Sequence, residues 1–131
     1  MSSAARALVV GHANFAAGIV SAVEQITGNG SMLVPLSNVK LGTDGIEQMV
    51  RTALADNAIT IVFTDLPGGS ATMAVRRVQR SLPNLTVVTG ANLAVLLEFV
   101  QHTDEPAEQA ALQALERGKA TMIAFKAANA G

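Results

Sequence analysis

Short apolar runs alternate along this chain with stretches whose apolar residues recur at helical spacing, and that alternation limits what it can become. Ala7-Leu8-Val9-Val10 is apolar at every position and ends at Gly11, as a parallel strand buried on both faces requires. Phe15, Ile19, Val23 and Ile26 then recur at helical spacing until Gly28-Asn29-Gly30 stops them. The theme repeats: Met32 to Leu36 reads as a strand, and Ile46, Met49, Val50, Ala53 and Leu54 form the stripe of a helix capped by Thr43 or Asp44. Ile59 to Phe63 is a third strand, and Met73, Ala74, Val78 and Leu82 a third stripe that ends before Pro83. Leu85 to Val88 is the fourth strand, with Leu93, Leu96, Leu97 and Val100 lining its helix. A fifth helix starts around Asp104-Glu105-Pro106, with Asp104 as cap, and ends at Gly118. Strands and helices in this rhythm predict βαβ units with right-handed crossovers. The expected fold is α/β: a mostly parallel sheet covered on both faces, as one domain over residues 1–131. The segment Ala120 to Lys126 fits neither pattern.

Composition narrows the function. The hydrophobic residues are mainly aliphatic, with four Phe and no Trp or Tyr, so platforms for stacking bases or sugar rings are scarce. A formal charge of −1 leaves no basic footprint for a phosphate backbone, and nucleic acid is not an expected partner. The absence of cysteine excludes disulfides, thiolate metal sites and cysteine nucleophiles. The apolar run from Ala7 to Val10 is too short for a signal-peptide core or a membrane span, so the expectation is a cytoplasmic protein with no direct membrane insertion.

In an open parallel sheet the ligand site lies beyond the carboxyl ends of the strands, where successive connections leave in opposite directions. Four loops are candidates: Gly11 to Asn14, Ser37 to Lys40, Thr64 to Ser70, and Thr89 to Asn92. His12 falls where the first strand ends, and Asp65 where the third ends. If those strands are neighbours, the carboxylate can hold one ring nitrogen and leave the other as a nucleophile. Pro67-Gly68-Gly69-Ser70 precedes a helix, and glycines there let backbone N–H groups approach an anion that the helix N-terminus also favours. A nucleophilic histidine, an orienting carboxylate and an anion nest on one edge describe phosphoryl transfer. No Walker-type loop and no carboxylate cluster for magnesium occurs, so no metal or cofactor is expected and the phosphoryl donor should be a protein. His102 reads as a solvated residue at the end of the fourth helix, and Arg76, Arg77 and Arg80 as an ordinary solvated face.

Taken together, Leu8-Val9-Val10-Gly11-His12 with Phe15-Ala16-Ala17-Gly18, Thr64-Asp65-Leu66-Pro67-Gly68-Gly69-Ser70, and Gly90-Ala91-Asn92-Leu93 resemble the IIA component of the mannose family of the phosphoenolpyruvate-dependent sugar phosphotransferase system. The resemblance runs in order over essentially the whole chain. It implies a four-stranded parallel sheet in the order 2-1-3-4 in a three-layer domain, and a homodimer in which a fifth, antiparallel C-terminal strand, here Ala120 to Lys126, crosses to the partner. It also implies that His12 carries the phosphoryl group, that Asp65 orients it, and that the backbone around Gly68, Gly69 and Ser70 holds the phosphoryl oxygens. The chain departs from the family pattern at Gly11, where Ser or Thr is usual, at Ala13, where Gly or Ser often stands, and at Ala71-Thr72-Met73, which replaces Pro-x-Asn.

The expected activity is that of a phosphotransferase component. Phosphohistidine on the phosphocarrier protein HPr donates to His12, and phospho-His12 donates to a IIB component for sugar uptake. Three alternatives differ in chemistry. The phosphoryl-donor subunit of dihydroxyacetone kinase has a similar fold but typically lacks the Gly-Gly-Ser turn. A receiver-type regulatory domain would be phosphorylated on Asp65, yet needs acidic residues where Gly11 to Asn14 stand. A non-catalytic regulatory α/β domain would keep the shape alone.

Overall fold

The computed structural model describes residues 5–129. Strands β1 (Ala7–Gly11), β2 (Leu33–Ser37), β3 (Ile61–Thr64) and β4 (Thr86–Val88) form a parallel sheet in the order β2-β1-β3-β4. Helices α1 (Phe15–Thr27), α2 (Thr43–Asn57) and α3 (Gly69–Ser81) connect them in turn, and α4 (Leu93–Gln101) and α5 (Ala107–Lys119) follow β4. Among the described residues no helix is long and apolar enough to cross a membrane.

The unbroken apolar run of β1 has a simple cause. Successive side chains of a strand point to opposite faces. Ala7 and Val9 join a core with Ala16 and Val23 of α1, Leu96 and Phe99 of α4, and Ala110, Ala111 and Ala114 of α5. Leu8 and Val10 face the other way, into Ile46, Val50 and Leu54 of α2 and Ala71, Ala74, Val75 and Val78 of α3. Both faces of β1 are therefore lined by apolar side chains. Phe63 meets Phe99 edge to face at 5.2 Å, which ties β3 to α4.

The topology places the site. From β1 the chain passes through α1, on one face, to the outer strand β2, then through α2, on the other face, to β3 on the far side of β1. The crevice between the carboxyl ends of β1 and β3 is thus the switch point of the sheet. Val10 is flanked by Leu36 and Thr64, and Gly11 lies level with Ser37, so the loops that follow these strands emerge side by side.

Several expectations are corrected in detail. Thr43 and Asp44 lie inside α2, whose N-cap is Gly42 with no side-chain cap bond, and α5 is capped at Pro106, not Asp104. Gly118 does not end α5 but sits buried within its last turn. Ile26 is 60% exposed and Met73 55%, while Val75 is buried. On α3 the small side chains Ala71 and Ala74 let the helix sit close to the sheet, so the inward face is set by fit more than by apolarity. His102 is not merely solvated: its Nε2 lies 2.6 Å from Glu98 and its Nδ1 2.9 Å from Glu105. The hydrogen bond to Glu98 leads in raising its pKa above the ordinary value. Ala120 to Lys126 forms no strand within the single chain.

The α4–α5 contact is unusually close at one point. A Cβ placed on Gly118 would lie 2.8 Å from Cβ and 3.1 Å from Cα of Val95. Gly118→Ala gains about 0.5–1 kcal/mol of helix propensity, but forcing the helices apart costs about 1–3 kcal/mol. Overpacking should win: thermal or urea unfolding of Gly118→Ala is expected to show a loss of about 1–2 kcal/mol, and an equal or higher stability would refute the close approach.

Candidate functional site

His12 and Asp65 meet at the switch point. The carboxylate oxygen Oδ2 of Asp65 accepts from the backbone N–H of His12 at 2.9 Å and lies 2.8 Å from ring Nδ1. Two bonds to one oxygen fix both the turn and the imidazole. Because a carboxylate only accepts, Nδ1 carries the proton in the neutral ring, and the lone pair is on Nε2. The His12 side chain is 46% exposed, whereas that of Asp65 is 9% exposed. Burial by itself raises the Asp65 pKa, but the His12 N–H bonds and the charge of the protonated ring outweigh it and hold the carboxyl below its ordinary value.

The backbone around this pair is shaped by what is missing. A Cβ on Gly11 would lie 2.7 Å from Cδ2 of Phe15 and 3.0 Å from Oδ2 of Asp65. Here, where the family pattern has Ser or Thr, the Phe15 ring and the Asp65 carboxylate occupy the space that a side chain needs. Ala13 adopts a left-handed conformation with φ 47°, in which an L-residue is strained by roughly 1–2 kcal/mol. Surrounding hydrogen bonds hold it there: Ser37 Oγ donates to the Ala13 carbonyl at 2.8 Å, and Ala13 N–H donates to Asn38 Oδ1 at 3.4 Å.

Of Gly68, Gly69 and Ser70, Gly69 stands against the histidine. Gly68 is the N-cap of α3, in extended conformation and with no side-chain cap bond, so the first amides of α3 are left uncapped. Gly69 has φ 90°, which favours glycine, and a Cβ there would lie 3.4 Å from Cε1 and 3.8 Å from Nε2 of His12. The helix N-terminus, with its partial positive charge, thus lies beside the free ring nitrogen. Behind the turn, the buried hydroxyls of Thr64 and Thr72 are 2.7 Å apart, and Thr72 also donates to the Leu66 carbonyl. Thr72 belongs to the segment that departs from Pro-x-Asn, and its hydroxyl fastens the turn.

A hollow of about 590 Å³ along α3 is lined by Pro67 and Thr72 of this turn together with Arg76, Arg77 and Arg80. Another of about 620 Å³ lies between α4 and α5, lined by residues such as Leu97, Glu98 and Arg117, and includes neither His12 nor Asp65. Asn92 serves the fold: its side chain caps α4 at Val95 N–H and donates to the Gly118 carbonyl. Arg76, Arg77 and Arg80 stay exposed on α3, with Arg77 bonded to Asp44 at 3.1 Å. Asn38 was within the candidate loops, but nothing in its spacing signalled the part it plays: its Nδ2 donates to Ser70 Oγ at 3.2 Å and bridges two loops.

This is a doubly wound α/β protein whose switch point carries a carboxylate-held histidine beside an uncapped helix N-terminus. The chain belongs to the EIIA-man family, described as the PTS system fructose IIA component, whose model matches residues 6–116. Membership makes it a phosphotransferase-system component of the phosphoryl-carrier kind. Solved structures share the fold. A phosphotransferase component EIIA from Streptococcus agalactiae is 21% identical with a TM-score of 0.80, covering 92% of this chain and 96% of its own. A mannose/sorbose-specific IIA subunit from Enterococcus faecalis is 19% identical at TM-score 0.79, over 95% of this chain and 96% of its own. A IIA protein associated with the fucose utilization operon of Streptococcus pneumoniae is 24% identical at 0.78, over 95% and 96%. No curated protein sequence matches.

The lowered pKa of Asp65 sets the sign of a pH effect. Its ionised form is preferred in the folded state, so the associated stability is fully present above the ordinary value of 3.8 and is lost as pH falls through the lower folded value. Denaturant unfolding of Asp65→Asn against wild type should therefore show a gap at neutral pH that narrows in acid. A gap that stayed constant down to the acid limb would contradict the hydrogen-bond assignment.

Proposed function

We propose that residues 1–131 form one mannose-type IIA domain, acting in the cytoplasm, in which His12 Nε2 takes the phosphoryl group from the phosphohistidine of HPr and passes it to a IIB component. The observation that carries this reading is Asp65 Oδ2 at 2.8 Å from Nδ1, with Nε2 left facing the uncapped start of α3. In the first transfer the donor's P–N bond breaks as the Nε2–P bond forms. The donor ring keeps its own N–H and leaves as neutral imidazole, while His12 keeps its Nδ1 proton. Positive charge moves from the donor ring to the His12 ring, where the Asp65 carboxylate stabilises it. No proton changes hands. The return step to IIB is the same reaction with the roles exchanged. Asp65 orients, and the amides around Gly68, Gly69 and Ser70 hold the phosphoryl oxygens.

With its side chain 46% exposed, His12 is within reach of a protein donor. A receiver-type reading asks Asp65 to be the nucleophile, but its Oδ2 is engaged by His12 and its Oδ1, though without a partner, is buried away from a phosphoryl donor. A second copy of the chain belongs to the proposal as well. Met122, Ile123 and Phe125, the last 88% exposed, lie on the unpaired segment after α5, and β4 is an outer strand of the sheet. Exchange of this segment between protomers as a fifth strand would bury those side chains and cover an edge.

Intact mass after incubation with phosphoenolpyruvate, the general phosphotransferase proteins and a phosphocarrier tests the relay. One phosphoryl group is expected on wild type, labile to acid, stable to base, and absent from His12→Ala. A label that persisted in His12→Ala and vanished in Asp65→Asn would replace the relay with a receiver.

A further inference from the structure

The loop after β2 supplies no group to the relay as described, yet it touches both loops that do. Asn38 reaches from it to both neighbours: its N–H donates to the Gly11 carbonyl at 3.0 Å, its Oδ1 accepts from Ala13 N–H, and its Nδ2 donates to Ser70 Oγ. The amide orientation is set by chemistry. A backbone N–H can only donate, so the carbonyl end of Asn38 faces Ala13 and the NH2 end faces Ser70. The Ser70 oxygen is thereby an acceptor, and its own proton is left to point elsewhere. Ser70 is in the first turn of α3, one residue beyond the glycine whose α-carbon faces the His12 ring.

We propose that Asn38 is a positioning residue that, by occupying a lone pair of Ser70 Oγ, presents the Ser70 hydroxyl as a donor to the phosphoryl group on His12. The inference rests on the His12 relay reading and adds to it a side-chain donor whose direction is controlled from a different loop. A hydroxyl donating to an anionic oxygen makes a short, charge-assisted bond, stronger than a neutral one. Left unoriented, the same hydroxyl could turn its proton toward water or a nearby carbonyl, and the phosphoryl oxygens would lose a fixed partner. Asn38 thus couples the loop that strains Ala13 to the turn that receives the anion.

The test is a double-mutant cycle on the full chain, Asn38→Ala with Ser70→Ala, using phosphoramidate as a small phosphoryl donor to imidazole and following phosphorylation by intact mass. Each single variant should be phosphorylated roughly tenfold more slowly, about the low end of what a hydrogen bond to a charged group contributes, and the double variant no more slowly than the worse single. A phosphorus NMR titration supplies a readout that a purely structural role would not move: the phosphoryl group on His12 should titrate at higher pH in Asn38→Ala and by the same amount in Ser70→Ala. Additive rate losses, an unchanged rate in Asn38→Ala, or an unmoved phosphoryl titration in that variant would each overturn the proposal. If wild type acquired no acid-labile phosphoryl group, or if the group survived in His12→Ala, the relay itself would fall and take this inference with it.

Discussion

Two donors of His12, the backbone N–H and ring Nδ1, converge on a single oxygen of Asp65, and the geometry of the whole edge follows from that convergence. The pair can form only because β1 and β3 are neighbours and finish level, with Val10 beside Thr64. That adjacency in turn needs β2 to be placed outside β1 and the chain to return over the opposite face. The two dry cores, one on α1, α4 and α5 and the other on α2 and α3, hold the sheet in this order. Burying apolar surface is thus what brings together two polar side chains 53 positions apart.

The site is also defined by close approach. Gly11 admits Phe15 and Asp65 where a side chain would clash, and Gly69 admits the imidazole to the start of α3. Strain in Ala13 is held by Ser37 and Asn38, which belong to a strand end that contributes no reactive group. Preorganisation of this kind moves the cost of orienting the ring into folding, so that little reorganisation remains when charge arrives. The imidazole is thus fixed through Nδ1 while nearly half of the His12 side chain stays exposed.

Much of this was legible in the residues. Continuous apolar runs identify doubly buried strands, and a histidine and an aspartate at two strand ends can be paired once those strands are adjacent. Helix faces were less legible: apolarity alone put Ile26 and Met73 inward, where packing also selects small or branched residues such as Ala71 and Val75. Capping preference pointed to Thr43 and Asp104, but the chain starts those helices at backbone positions, Gly42 and Pro106, that make no side-chain cap. The links of His102 to Glu105 and of Asn38 to Ser70 depend on loop conformations that no periodic pattern encodes. Asn38 in particular has its partners 25 and 32 residues away, and only the folded sheet edge brings them within reach.

The central claim is that Asp65 reserves Nδ1 and leaves Nε2 to react. It is tested most directly by two-dimensional proton–phosphorus and nitrogen-15 NMR of the phosphorylated protein, which identifies the ring nitrogen bonded to phosphorus. The account requires phosphorus on Nε2 of His12, with the Nδ1 proton retained and hydrogen-bonded. Phosphorus on Nδ1 would contradict it, because that nitrogen could then no longer donate to Asp65.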